Sequence, residues 1–146
     1  MNYLSTAAIA SALIVGLSSC ATQDSKSSVN ISTALLETTG QNGRACVRAS
    51  DIQGFGVLKD DVLSIDAFGN EYYLATVMPG CTDLGLSARG MFEERFGDVC
   101  GGGMNRVKTG SSHCRIRHIF EFKTREQAFA AHDTALEFKH SAEQEE

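Results

Sequence analysis

The stretch Gly54–Met78, GFGVLKDDVLSIDAFGNEYYLATVM, decides the fold class. Gly54-Phe55-Gly56-Val57-Leu58 and Val62-Leu63-Ser64-Ile65-Asp66-Ala67-Phe68 are both β-prone. The polar trio Lys59-Asp60-Asp61 between them is a hairpin signal. Gly69-Asn70 then separates the second run from Glu71-Tyr72-Tyr73-Leu74-Ala75-Thr76-Val77-Met78. Glycine and asparagine tolerate positive φ, so these two residues suit a tight turn between antiparallel strands. Three successive strands make a meander.

Working outward, Ala45-Cys46-Val47-Arg48-Ala49 reads as a short strand upstream. Downstream, Pro79-Gly80-Cys81 breaks the pattern, and Leu84–Gly97 fits a helix or a strand equally. Gly101-Gly102-Gly103 is a loop. It lacks the context of a phosphate-binding glycine motif. Met104–Lys108 and His113–Phe122 form a second hairpin across Thr109-Gly110-Ser111-Ser112. A period of two places Cys114, Ile116, His118, Phe120 and Phe122 on one face. Arg115, Arg117, Glu121 and Lys123 fall on the other, with Ile119 the exception. The one clear helix starts at Thr124, where Thr124-Arg125-Glu126-Gln127 is a capping box. Ala128, Phe129, Ala131, His132, Ala135, Leu136 and Phe138 follow as a broad stripe at helical spacing. The expected fold is α+β and mostly β. It is a small antiparallel sheet or partial barrel with one C-terminal helix packed on it, stapled by disulfides. That single domain spans 44–140, and 141–146 is a frayed tail.

The N-terminus reads MNYLSTAAIASALIVGLSSC. Ala7–Leu17 is an apolar run of eleven residues. A bilayer span needs about 20 residues of helix, whereas eleven is the length of a signal-peptide core. The run ends in Leu17-Ser18-Ser19-Cys20, which resembles the lipobox of bacterial lipoproteins. The resemblance implies a signal peptide over 1–19, cleavage before Cys20, and lipidation of its thiol and new amine. Two or three acyl chains make such an anchor effectively permanent. Ala21 rather than Asp follows the cysteine, which by the same resemblance implies the outer membrane of a diderm cell, facing the periplasm. Residues 20–43 then read as the lipidated cysteine and a flexible tether, since Ala21–Gly43 is rich in Ser, Thr, Asn and Gln. As a coil it spans about 25 Å. Ala34-Leu35-Leu36 is the one part suited to a helical turn docked on the domain.

Composition narrows the function classes. The chain has 146 residues, 42% hydrophobic and 21% charged, with a net charge of −5. This is ordinary for a globular domain, and the acidic balance argues against nucleic acid as a partner. Setting Cys20 aside, Cys46, Cys81, Cys100 and Cys114 form an even set in an exported domain, which reads as two disulfides. Three pairings are open. The reading favours Cys46–Cys114, both on strands, with Cys81–Cys100, both in loops. No C-x-x-C or C-x-x-C-H occurs, so thioredoxin-type and haem-attachment chemistry lack their motifs. Nothing in the chain calls for a cofactor or a metal.

Two polar groupings remain. His118 and His132 sit on apolar faces of the last strand and of the helix. They are either hydrogen-bonded core histidines or a candidate polar site between helix and sheet. Arg106, Lys108, Arg115 and Arg117 cluster if the last two strands pair. That gives a candidate basic patch suited to lipid headgroups, peptidoglycan or an acidic partner. No catalytic residue is assigned.

The order of Ala45-Cys46-Val47, Ile52-Gln53-Gly54-Phe55, the VLKDDVLSI hairpin, Tyr72-Tyr73-Leu74, Pro79-Gly80-Cys81-Thr82-Asp83-Leu84, Cys100 and Cys114-Arg115-Ile116 resembles exported proteins of the domain-of-unknown-function family 6491. The likeness covers roughly Ala45–Phe122, and Gly101-Gly102-Gly103 departs from the acidic residue often found after the third cysteine. The family implies placement and cysteine pairing but no activity. The expected function is therefore a non-catalytic, periplasm-facing binding or structural module. It is held to the membrane by its lipid and partnered by an envelope protein or peptidoglycan. The alternatives are a periplasmic enzyme or metal-binding protein using His118 and His132, and a lipoprotein like the lysozyme inhibitors.

Overall fold

The computed structural model describes residues 29–81, 84, 91–93, 96–109 and 112–144. The expected signal peptide, Cys20 and residues 21–28 of the expected tether lie outside them. The strands are β1 (Cys46–Arg48), β2 (Ile52–Val57), β3 (Leu63–Ala67), β4 (Glu71–Val77), β5 (Met91–Glu93), β6 (Asp98–Cys100), β7 (Arg106–Lys108) and β8 (His113–Phe122). Two α-helices, α1 (Ile31–Thr39) and α2 (Arg125–Gln144), flank them in sequence. The main sheet is antiparallel in the order β2-β3-β4-β8-β7-β5 and curls into a half barrel. The pair β1–β6 forms a second small sheet.

The meander forms as its sequence dictates. Leu58 N donates to the Val62 carbonyl at 2.7 Å, closing the turn over Lys59-Asp60-Asp61. Gly69 and Asn70 both take positive φ, at 89° and 60°, which is what a two-residue turn of matching twist needs. On β3 the buried residues Leu63, Ile65 and Ala67 alternate with half-buried Ser64 and Asp66.

The sheet has two apolar faces. Leu63, Ile65, Tyr73, Ala75, Val107, Cys114, Ile116 and Ile119 form one core with Val47 of β1 and Val99 of β6. Leu74 and Phe120 form the other with Ala34 and Leu35 of α1 and Ala128 and Ala135 of α2. This overturns the expected single face of β8. Its register against β4 runs Thr76↔His118 and then Val77↔Ile116, so Arg117 is an extra residue in a bulge. A bulge shifts the alternation by one position. Cys114 and Ile116 therefore share a core with Ile119, the residue that broke the simple pattern, while Phe120 packs under the helices.

The expected tether is shorter than its composition suggests, because α1 belongs to the domain. Asn30 caps it, its side chain accepting from Thr33 N at 3.0 Å, and Gly40 ends it in the left-handed region. Asn at the N-cap and Gly just past the end are standard boundary residues. Ala34 and Leu35 are fully buried between α2 and the sheet. Hiding that stripe from water offsets the ordering cost of an otherwise polar segment. At the other end, α2 continues to Gln144, so the tail expected to fray from 141 is mostly helical. Its capping box forms in part: Gln127 N donates to Thr124 Oγ1 at 3.2 Å, while Gln127 Oε1 accepts from Lys123 N rather than Thr124 N.

The disulfides also differ from the favoured pairing. Cys46 bonds Cys100 and Cys81 bonds Cys114, with Cα separations of 4.1 and 5.5 Å. The cause is β6. It pairs with β1 in a register that sets Cys46 directly opposite Cys100. Cys81 reaches Cys114 because β4 and β8 are neighbours, and the chain leaving β4 donates from Met78 N to the Arg115 carbonyl at 2.8 Å. Of the ambiguous segment Leu84–Gly97, residues 91–93 are strand, and 85–90, 94 and 95 lie outside the described residues.

Candidate binding surface

The β7–β8 hairpin brings the expected basic patch together. Val107 lies opposite Cys114, both buried, so the residues on either side of each point outward. Arg106 stands directly opposite Arg115, and Lys108 opposite His113, all four exposed. Arg117, half-buried in the bulge, extends the cationic face. Among the described residues none of Arg106, Lys108, Arg115 and Arg117 takes part in an ion pair. Glu93 of β5 stands opposite Arg106 without pairing with it, and its carboxylate lies 3.2 Å from His113 Nδ1.

Two adjoining clefts share the lip Met78-Pro79-Gly80-Cys81. One, about 390 Å³, runs along Ser112, His113, Cys114 and Arg115. The other, about 160 Å³, is walled by Arg117, Thr76, the start of α1 and the turn residues Asp60 and Asp61. Asp60 is tied to Lys139 Nζ at 2.7 Å, whereas Asp61 has no ion pair among the described residues.

The two histidines belong to separate networks and line neither cleft. His118 Nδ1 is 2.6 Å from Ser32 Oγ, which is in turn 2.9 Å from Thr76 Oγ1. This chain fastens α1 to β4 and β8. Burial pushes the His118 imidazole below its usual range, and the nearby Arg117 and Arg44 push it further down. Its ring also packs so closely on the backbone that a side chain at Gly43 would meet the His118 Cβ at 2.7 Å. His132, 5% exposed, has Nε2 3.0 Å from the Lys59 carbonyl. A carbonyl only accepts, so Nε2 carries the proton. This bond and the Lys139–Asp60 pair clasp α2 onto the β2–β3 turn. Arg125, 3.5 Å from Asp66, does the same at the start of the helix. Asp60 of the turn and Asp66 of β3 thus serve α2.

Gly101 has a packing role. A Cβ there would overlap the Gly43 carbonyl, where Gly101 N donates to Ala45 O and Ile119 N to Gly43 O. Sequence reading missed β6, the Ser32–His118 link and the Lys139–Asp60 pair. It also missed that Asn30-Ile31-Ser32 opens a helix, for which Asn30 and Gly40 at the two ends were the available signal.

A curled antiparallel sheet with two helices on one face, two disulfides and one cationic hairpin defines a disulfide-stapled α+β domain. The chain belongs to the family of unknown function DUF6491, whose model matches residues 3–137. The match extends beyond the expected Ala45–Phe122 to include α1 and most of α2, so the C-terminal helix is part of the family's domain. No curated protein and no solved structure matches the chain.

Proposed function

We propose that the protein is a lipid-anchored, non-catalytic binding module of the cell envelope, held at Cys20 in the outer membrane and facing the periplasm. The anchor rests on the apolar run Ala7–Leu17 ending in Leu17-Ser18-Ser19-Cys20. Among the described residues, no helix is long and apolar enough to cross a membrane. The binding role rests on one observation: an acidic chain sets Arg106 beside Arg115, with Lys108 and Arg117 close by, and gives none of them an ion pair among the described residues. Like charges directly opposite on neighbouring strands cost stability, so such a pair is best accounted for by an anionic ligand. The ligand class is an anionic component of the envelope.

Intact mass of the chain purified from its own membranes tests the anchor. The expected product starts at Cys20 and carries diacylglyceryl and acyl groups; an unacylated N-terminus refutes it. In-cell crosslinking from a photoreactive residue at Arg115 tests the binding role. Crosslinks to envelope material that vanish in Arg106→Gln/Arg117→Gln support it, and crosslinks indifferent to those charges refute it.

A further inference from the structure

We infer that the basic hairpin face lies flat on the anionic phospholipid surface to which the chain is tethered, an inference that rests on the lipid-anchor reading above. Three observations converge on one end of the sheet. The first is charge: Arg106, Lys108, Arg115 and Arg117 outnumber the acids beside them, Glu93 opposite Arg106 and Asp61 in the cleft of Arg117, and cations near an anionic bilayer are each attracted appreciably.

The second is the apolar component among those cations. Met78 is 38% exposed and Met104 68%. Met78 N bonds the Arg115 carbonyl, and its side-chain methyl lies 3.5 Å from the Cβ position of Gly103, the neighbour of Met104. Gly102 N bonds the Arg117 carbonyl. Both methionines therefore flank the bulge that carries Arg117. Flexible apolar side chains beside long cationic ones suit the boundary between headgroups and acyl chains.

The third is where the chain enters. Asn30 and Ile31 line the same cleft as Met78 and Arg117. Positions 20 and 30 are ten residues apart. Even fully extended, ten residues reach only about 35 Å. An acylated Cys20 therefore holds this end of the sheet close to the bilayer. The choice of phospholipid over an acidic protein or peptidoglycan rests on this coincidence of cations, methionines and chain entry. The far end of the sheet differs. Phe68, 71% exposed, follows β3, and its N–H bonds the Asp51 carbonyl. Phe96, fully exposed, precedes Gly97, whose carbonyl accepts from Ala49 N in the same 49–51 turn. These two aromatics serve as internal controls.

The test is hydroxyl-radical footprinting of the full chain as purified from membranes. It is mixed with vesicles of phosphatidylcholine alone or of phosphatidylcholine with phosphatidylglycerol, and oxidation is read by mass spectrometry. Met78 and Met104 should be protected in the phosphatidylglycerol vesicles only, while Phe68 and Phe96 stay reactive. Protection should vanish in about 1 M salt, where screening length falls to a few ångström. In Arg106→Gln/Arg115→Gln, a change that relieves internal repulsion and so preserves folding, the docked-to-free ratio should fall about twenty-fivefold, from about fivefold per cation. Equal protection in both vesicle types overturns the inference, as does protection by soluble peptidoglycan fragments without vesicles. The intact mass of the same sample reads the anchor separately. An unacylated chain whose methionines are still protected by phosphatidylglycerol sinks the anchor and leaves the docking face standing.

Discussion

Leu35→Ala is the sharpest probe of whether α1 is part of the folded unit. The Leu35 side chain is fully buried and packs with Ala34, Val62, Leu74, Phe120, Ala128 and Ala135. The substitution deletes three carbon atoms, worth about 0.8 kcal/mol each by transfer, or about 2.4 kcal/mol. The site is walled by two helices and a sheet, so it collapses only in part, and the residual cavity adds to the cost. The expected loss is about 3 kcal/mol, which for a domain of this size lowers Tm by roughly 10–15 °C. The chain has three tyrosines and no tryptophan, so unfolding in urea is best followed by circular dichroism. Asn30→Ala, which removes only the cap, should cost about 1 kcal/mol on the same scale. A Leu35→Ala loss below about 0.5 kcal/mol, the size expected of an exposed position, would mean that residues 31–39 are a tether after all.

Three further outcomes follow from the geometry. Since His118 is held below its usual range, mainly by burial, the unfolded chain takes up the proton first. Its contribution is complete above about pH 6.5 and is lost as pH falls through the folded-state value below that. The urea midpoint should therefore drop on acidification, and His118→Gln should flatten that slope; an unchanged slope refutes the assignment. Lys139 is raised by its bond to Asp60, against the opposing effect of burial. Its contribution is present below about pH 10.4 and is lost as pH rises through the higher folded value. Asp60→Asn keeps a residue type that tolerates φ of 60° and deletes the charge, so it should cost about 1 kcal/mol at neutral pH and abolish the alkaline dependence. Peptide mapping without reduction should recover Cys46 with Cys100 and Cys81 with Cys114; removing either bridge should cost about 2–5 kcal/mol. A Cys46–Cys114 peptide would contradict the register of β1 on β6.

Much of the fold was legible because its signals are local. Lys59-Asp60-Asp61 and Gly69-Asn70 declare turns through their own backbone preferences, and Thr124 with Gln127 declares the start of α2. The basic patch was legible for a related reason: one hairpin register places Arg106, Lys108 and Arg115 together, with Arg117 two positions further along β8. Less legible were features that depend on what packs nearby. A bulge at Arg117 has no composition of its own, and it moved Ile119 and Phe120 into different cores. Strand β6 is only three residues long and owes its existence to β1. The histidines read as a possible pair because both lie on apolar faces. Their partners, Ser32 and the Lys59 carbonyl, are 86 and 73 residues distant in sequence, and no local pattern reports them.

The chain alone was enough for the meander, the second hairpin, the C-terminal helix, the even set of cysteines and the lipobox resemblance at Cys20. Each depends on residues adjacent in sequence, whose turn, strand and helix preferences act over a few positions. Folding in three dimensions chose the cysteine partners, enlisted α1 into the core and separated His118 from His132. It also set Met78, Met104 and the entering chain beside the cations of β7 and β8. Those outcomes depend on which surfaces exclude water together, and burial is a property of the assembled layers rather than of any segment within them.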